Sequence, residues 1–450
     1  MSGVEERLLA QGLLPAEARR KKELFADVDL ALRGLGHPAD SAARRWFVPG
    51  RIEILGKHTD YAGGRSLLCA LGRGFCVSAV PRSDRIVRIA DAGRGLAGEV
   101  PLDADLVPSA AGWMVYAQTV AARIAQNFPG ELRGADITFA SDLPRASGMS
   151  SSSALVVGLF TALSDVNALS ERPEYAAEIR GPEDLGGYLG CLENGRSFGA
   201  LGGDRGVGTF GGSEDQTAIL CCRAGEIAQY SFCPVRHERS MPLAGDWSFV
   251  VASSGVASDK TGDARESYNR LSLAVSAILA LWNRSTGRRD ESLQAALSQT
   301  LDAPARIRSL LRLLPVEGYS REFLGGRLDQ FLEETMRIVP TVGDLLVKGE
   351  VGLVGELVDR SQALAEQCLG NQVPETIALA RLGRELGAAA ASAFGGGFGG
   401  SVWALVKTEG ADAFRRRWAD RYAARFPAVT EQSRFFVTRP GPAVVALGGP

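Results

Sequence analysis

Histidine is nearly missing from this chain of 450 residues, with only His37, His58 and His237 present. None has the spacing of a zinc site or a nucleophilic triad, so those enzyme classes fall away. Cysteine is sparse as well: Cys69, Cys76, Cys191, Cys221, Cys222, Cys233 and Cys368 are odd in number and sit mostly in apolar contexts. They read as reduced thiols acting as small hydrophobes, not as a disulfide frame. No run approaches the roughly 18 uninterrupted apolar residues of a spanning helix. The charged N-terminal stretch (Glu5, Glu6, Arg7, Arg19 to Lys22) lacks a signal-peptide core, and the expectation is a soluble, cytoplasmic protein with no membrane partner. Charge of one sign is not in excess either: a formal net charge of −2 gives no pull towards nucleic acid. Internal repeats and low-complexity linkers are absent.

The chain has length enough for two domains packed around a cleft. Helical spacing from Glu17 to Arg33 gives way to strand-like runs at 45–49, Gly74–Ala79 and Ile86–Ile89. A helix is predicted from Ala110 to Gln126 and a strand over Ala135–Phe139. Alternation in Thr217–Leu220 and in 246–253 predicts further strands, with a helix between Arg265 and Asn283. Helices dominate from Asp290 to Leu386, and strands return over Gly395–Val406 and Glu431–Val445. The order implies a two-domain α+β protein, divided into 1–240 and 241–450. One loop stands out: the glycine-rich segment 195–212, which is of a kind that is often functional in compact domains.

The richest local signal is Ser147-Gly148-Met149-Ser150-Ser151-Ser152-Ser153-Ala154, directly ahead of the apolar run Leu155–Phe160. Small residues let backbone N–H groups approach a ligand, and the first turn of the following helix has unpaired donors and a partial positive charge. This is an anion site, most simply one for phosphate. The lysine that ends the common phosphate-loop pattern is absent, which leaves backbone dipoles and hydroxyls to do the holding.

Two further segments accompany it. One is Pro49-Gly50-Arg51-Ile52-Glu53-Ile54-Leu55-Gly56-Lys57-His58-Thr59-Asp60-Tyr61, a strand running into a polar loop; the other is Phe394-Gly395-Gly396-Gly397-Phe398-Gly399-Gly400-Ser401, a glycine loop entering a buried strand. In this order the three resemble the motifs of the GHMP small-molecule kinases, and the first resembles the galactokinase signature. The resemblance implies a ribosomal S5-like N-terminal domain, a ferredoxin-like C-terminal domain, an active site in the cleft between them, and ATP with Mg²⁺ as cofactors. It implies transfer of the γ-phosphoryl to the anomeric hydroxyl of galactose or a related aldose. No oligomeric contact is legible, and a monomer is compatible with that.

Carried onto this sequence, the resemblance gives Asp215 in Gly211-Gly212-Ser213-Glu214-Asp215-Gln216 as the residue at the sugar hydroxyl, after a tight turn and ahead of a buried strand. Arg51 would keep Asp215 ionised and stabilise the transferring phosphoryl. Ser151 or Ser152 with Glu193 would hold Mg²⁺. The serine loop 147–153 with Gly397 and Gly399 would surround the nucleotide. Glu53, Lys57, His58, Asp60, Gly212 and Tyr268 would meet the sugar; that segment 195–212 covers it is an expectation from its position beside Asp215 alone.

Two positions depart from the resemblance: Lys57 stands where the pattern has glutamate, and Glu53 where it usually has asparagine. An ammonium donates where a carboxylate accepts, so Lys57 in the sugar site would favour a uronic acid or another altered sugar, such as arabinose. If Lys57 pairs with Glu53, galactose stays acceptable. A reading from another class is a sugar sensor without turnover, against which the intact Ser152-Ser153-Ala154 and Asp215 speak.

Overall fold

The computed structural model describes residues 2–38, 41–109, 112–258 and 264–448. Its strands are β1 (Arg44–Leu55), β2 (Arg65–Pro81), β3 (Ile86–Asp91), β4 (Leu96–Pro101), β5 (Ala135–Ser141), β6 (Glu226–Ser231), β7 (Arg236–Pro242), β8 (Trp247–Ser253), β9 (Ala390–Phe394), β10 (Ser401–Lys407), β11 (Arg434–Thr438), β12 (Pro440–Gly441) and β13 (Val445–Gly448). A nine-stranded sheet runs β13-β1-β2-β5-β3-β4, with β6 and β12 also on β2 and β7 on β6. The second sheet is antiparallel, in the order β11-β8-β10-β9.

Among the helices, α1 (Ser2–Ala10) and α2 (Pro15–Gly34) lead in, and α3 (Met114–Asn127) and α4 (Ser151–Val166) cover the first sheet. Then come α5 (Pro173–Glu178), α6 (Pro182–Asn194), α7 (Glu214–Cys221) and α8 (Arg265–Thr286). The short α9 (Leu293–Leu297) precedes α10 (Ala303–Leu313) and α11 (Arg321–Glu333); α12 (Val339–Val347), α13 (Gly355–Leu364), α14 (Pro374–Glu385) and α15 (Ala411–Arg425) complete the set. A π-helical turn over Glu334–Ile338 joins α11 to α12.

Sequence patterning accounts for most of this. Residues of β1 alternate: Ile52 and Ile54 enter the main core, and Arg51 and Glu53 face the other way. That core is continuous from the first sheet through α3 and α4 to Phe249, Val251 and Trp403 of the second sheet. A separate apolar cluster binds α8 to α11, and another lies under α14 and α15.

One expectation is overturned: residues 217–220 form the middle of α7, not a strand, so Asp215 lies in the first turn of a helix. A four-residue apolar run cannot tell a buried strand from a buried helix. Packing of Ala218 and Ile219 against neighbouring elements decides it. Ala110, the expected start of the third helix, lies outside the described residues. Residue 240 falls inside β7, and the chain changes sheet between Pro242 and Trp247, while β12 and β13 return to the first sheet. All seven cysteines are free thiols. Among the described residues no helix is long and apolar enough to cross a membrane.

Candidate active site

A register shift between Pro49 and Arg51 interrupts the pairing of β1 with β2, and bulges of this kind re-aim a side chain. Here it sends Arg51, 1% exposed, into a cleft. Its Nε donates to Asp215 Oδ1 at 2.8 Å, Nη2 lies 2.7 Å from the same oxygen in an ion pair, and Nη1 donates to the Gly148 carbonyl at 2.6 Å. Burial opposes the charge on Arg51, but Asp215, Glu214 and Glu53 outweigh that, and its pKa is raised. From the first turn of α4, Ser153 Oγ donates to Glu193 Oε2 at 2.9 Å and lies 3.3 Å from Asp215 Oδ2. Gln216 Nε2 also donates to Glu193 Oε2. Four elements therefore converge on one polar cluster: β1, α4, the end of α6 and the start of α7.

The cleft beside this cluster encloses ≈ 500 Å³ of empty space, part of it open to solvent. Glu53, His58, Asp60 and Tyr268 line it, with Gly211, Gly212, Gly395 and Gly396 supplying bare backbone. His58 adopts φ +57°, its Nδ1 3.0 Å from Tyr61 Oη and its Nε2 3.2 Å from the Gly396 carbonyl. Asp60 Oδ2 accepts from the Glu214 N–H at 3.2 Å. A Cβ at Gly212 would lie 2.3 Å from that same Oδ2, so the close approach requires glycine.

Lys57 is not there. Its Nζ donates to Ser361 Oγ and Ser392 Oγ, both at 2.9 Å, on the far side of the loop, and no ion pair joins it to Glu53. Ser361 in turn donates to Glu334, which also accepts from the Gly56 N–H. The expected Lys57 contact with the sugar and the alternative pairing with Glu53 are both corrected. A buried ammonium needs acceptors, and the hydroxyls of α13 and β9 provide them.

The serine loop divides by burial. Met149 is in the main core, and Ser147 Oγ is spent on the Pro144 carbonyl, so neither side chain is offered to a nucleotide. Ser150, at φ +59°, keeps a buried Oγ without a partner. Ser151 and Ser152 stand half-buried on the first turn, and the hydroxyl of Ser153, expected only at the nucleotide, donates to Glu193. The glycine loop leans on the serine loop: Ser401 Oγ donates to the Ser147 carbonyl at 2.7 Å, and a Cβ at Gly395 would lie 2.6 Å from Gly148 O. Gly397 and Gly399 sit just as tightly, against Asn371 and Val256 backbone.

Segment 195–212 is anchored along its length. Arg123 ion-pairs with Asp204, Val207 N–H bonds the Glu193 carbonyl, and Asn269 holds the Gly208 carbonyl; only its last residues and Thr209 line the cleft.

The Glu53 and Glu214 carboxyls are displaced. Burial pushes Glu53 up to about 7 despite Arg51 and Lys57, and burial with Glu53 and Asp60 nearby raises Glu214 well above the usual range. Sequence reasoning missed Glu214 and Gln216 although they flank Asp215. It also missed Glu334 and Arg327, whose guanidinium donates to the His58 carbonyl and which no motif signals.

Family models match in three places: a galactokinase galactose-binding signature at residues 36–81, a GHMP kinase N-terminal domain at 115–184 and a GHMP kinase C-terminal domain at 344–424. A galactokinase of Chloroflexus aggregans is 30% identical over 401 residues, covering 87% of this chain and 90% of the relative. One from Actinobacillus pleuropneumoniae serotype 3 is 29% identical, covering 86% and 91%. The crystal structure of Lactococcus lactis galactokinase complexed with galactose superposes with a TM-score of 0.74 at 21% identity, over 93% of this chain and 98% of that one. A mevalonate kinase follows at 0.51. With its three motifs gathered on one cleft and full-length relatives of the same organisation, the chain belongs to the GHMP kinase family, in its galactokinase branch.

Proposed function

We propose that the protein phosphorylates the anomeric hydroxyl of galactose at the expense of ATP, giving the sugar 1-phosphate. The observation that carries this is the Arg51–Asp215 pair, tied through Ser153 to Glu193 at the mouth of the serine loop. Phosphoryl transfer needs positioning, charge neutralisation and a destination for one proton. Asp215 accepts that proton from the sugar hydroxyl, and Arg51 orients it by fixing Oδ1 while stabilising negative charge.

The donor set suits the cofactor. Ser153 Oγ and Glu193 are oxygen donors of the kind a hard divalent cation takes, and the unpartnered Ser150 Oγ with the first-turn N–H groups of α4 fits phosphate. A divalent cation held by these residues would supply charge neutralisation to the phosphate oxygens. His58, Asp60 and Tyr268 hold the sugar.

The deciding experiment is ADP release with MgATP against galactose, glucose, arabinose, galacturonate and glucuronate. Galactose is expected to be preferred, and Asp215→Asn to lower kcat by about 10²–10⁴. EDTA is expected to abolish turnover, with added Mg²⁺ restoring it. Binding of ATP and sugar without ADP release would make the protein a sensor instead.

A further inference from the structure

Glu53 is 3% exposed and lines the cleft. Its two oxygens have different fates: Oε2 accepts from the Gly395 N–H at 3.1 Å, and Oε1 is buried with no partner. A buried carboxylate oxygen is costly unless something donates to it. Neither nearby cation serves, since Arg51 is engaged by Asp215 and Gly148, and Lys57 by two serines. Strand alternation sets Glu53 on the same face as Arg51, beside His58 and Asp60, in the part of the cleft where hydroxyl-rich ligands have both donors and acceptors to meet.

Resting on the sugar-kinase reading, we propose that Glu53 is the specificity-determining residue of this cleft: its Oε1 accepts a hydrogen from one hydroxyl of a neutral aldose, and sugars that present a carboxylate there are refused. The refusal is electrostatic. Glu53, Asp60, Glu193, Glu214 and Asp215 all border the cleft, against Arg51 as the one guanidinium among its described lining residues. A uronate would bring a further negative charge into low dielectric, with no unspent lysine or arginine among the described residues that line the cleft to receive it. Burial pushes the Glu53 carboxyl up, with Arg51, Lys57, Asp215 and Glu214 as the charged groups that it feels.

The test compares wild type with Glu53→Gln on galactose and on the set of monodeoxygalactoses, by ADP release and by calorimetric sugar binding. Losing a hydrogen bond to a charged acceptor is expected to raise the sugar KM about 10- to 100-fold, with kcat changed far less. One deoxy sugar is expected to be penalised clearly less in Glu53→Gln than in wild type, because the first change removes the charged acceptor and the second removes the hydroxyl of the same contact. Lys57→Met, outside the cleft, keeps the wild-type deoxy pattern. If Glu53→Gln folds poorly, Glu53→Asn reads the same coupling. Equal penalties for every deoxy sugar in both enzymes would overturn the proposal and leave Glu53 as a brace for Gly395. If wild type releases no ADP with any aldose, the kinase reading fails; the calorimetric coupling then judges Glu53 on its own.

Discussion

Arg51 hydrogen-bonds Asp215 through Nε and a backbone carbonyl through Nη1, with Nη2 in ion-pair contact with the same Asp215 oxygen, and only a planar fork does this from one side chain. Arg51→Lys keeps the charge and loses that geometry; kcat is expected to fall about 10- to 100-fold, measured at saturating sugar and ATP. Glu53 carries a pH signature. Its folded pKa, about 7, is above the ordinary value of 4.5, so the folded protein binds the extra proton between those limits. Stability from this group is present at low pH and is lost as pH rises through about 7. Glu53→Gln is therefore expected to have a Tm advantage over wild type that grows from about pH 5 to about pH 8. Lys57 gives the converse case. Lys57→Met removes two hydrogen bonds and is expected to cost about 1–2 kcal/mol. Lys57→Glu, though it restores the residue of the signature, sets a buried carboxylate one serine away from Glu334 and is expected to cost about 3 kcal/mol or more, read as Tm.

At the scale of elements, catalysis depends on loops that touch backbone to backbone. Gly395 has φ +81° and its position allows no Cβ, because Gly148 O would be 2.6 Å away. Gly395→Ala pays about 1–2 kcal/mol for the left-handed conformation and pushes the glycine loop off the serine loop. The expected outcome is a raised KM for ATP with a native circular dichroism spectrum; an unchanged ATP KM would show that the contact does not shape the phosphate site. The π-helical turn after α11 has a comparable role: it brings the Glu334 carboxylate to the Gly56 N–H, at the start of the sugar loop. Nothing in the pattern of 321–347 announces that turn, because its hydrophobic spacing continues that of the flanking helices.

For the whole molecule, the return of β12 and β13 matters most. β13 pairs with β1 and β12 with β2, so the strand that presents Arg51 and Glu53 is flanked by the last described residues of the chain. The core also runs unbroken between the sheets. A piece ending at residue 240 leaves one edge of β1 unpaired and the Phe249 side of the core bare. That piece is expected to aggregate, while the full chain is expected to melt in one transition that galactose shifts upwards. A soluble, cooperatively folding 1–240 would show that the first sheet does not need its returning strands.

By itself the sequence determined the α+β order of elements and the three motifs, because glycine and serine loops and strand alternation are local signals; the resemblance of those motifs singled out Arg51, Asp215, His58, Asp60, Tyr268 and Glu193, which the fold gathers at one cleft. The sequence pattern mistook 217–220 for a strand, since short apolar runs take their conformation from their neighbours. The resemblance assigned Ser151 or Ser152 beside Glu193 and left Ser153 to the nucleotide, whereas the rotation of α4 brings the Ser153 hydroxyl to Glu193. Above all, the sequence could not say which way Lys57 points. Direction around a loop is set by what lies behind it, here Ser361, Ser392 and Glu334, more than 270 residues along the chain. Tertiary packing turned that ammonium into scaffold and left the Glu53 carboxylate facing the cleft.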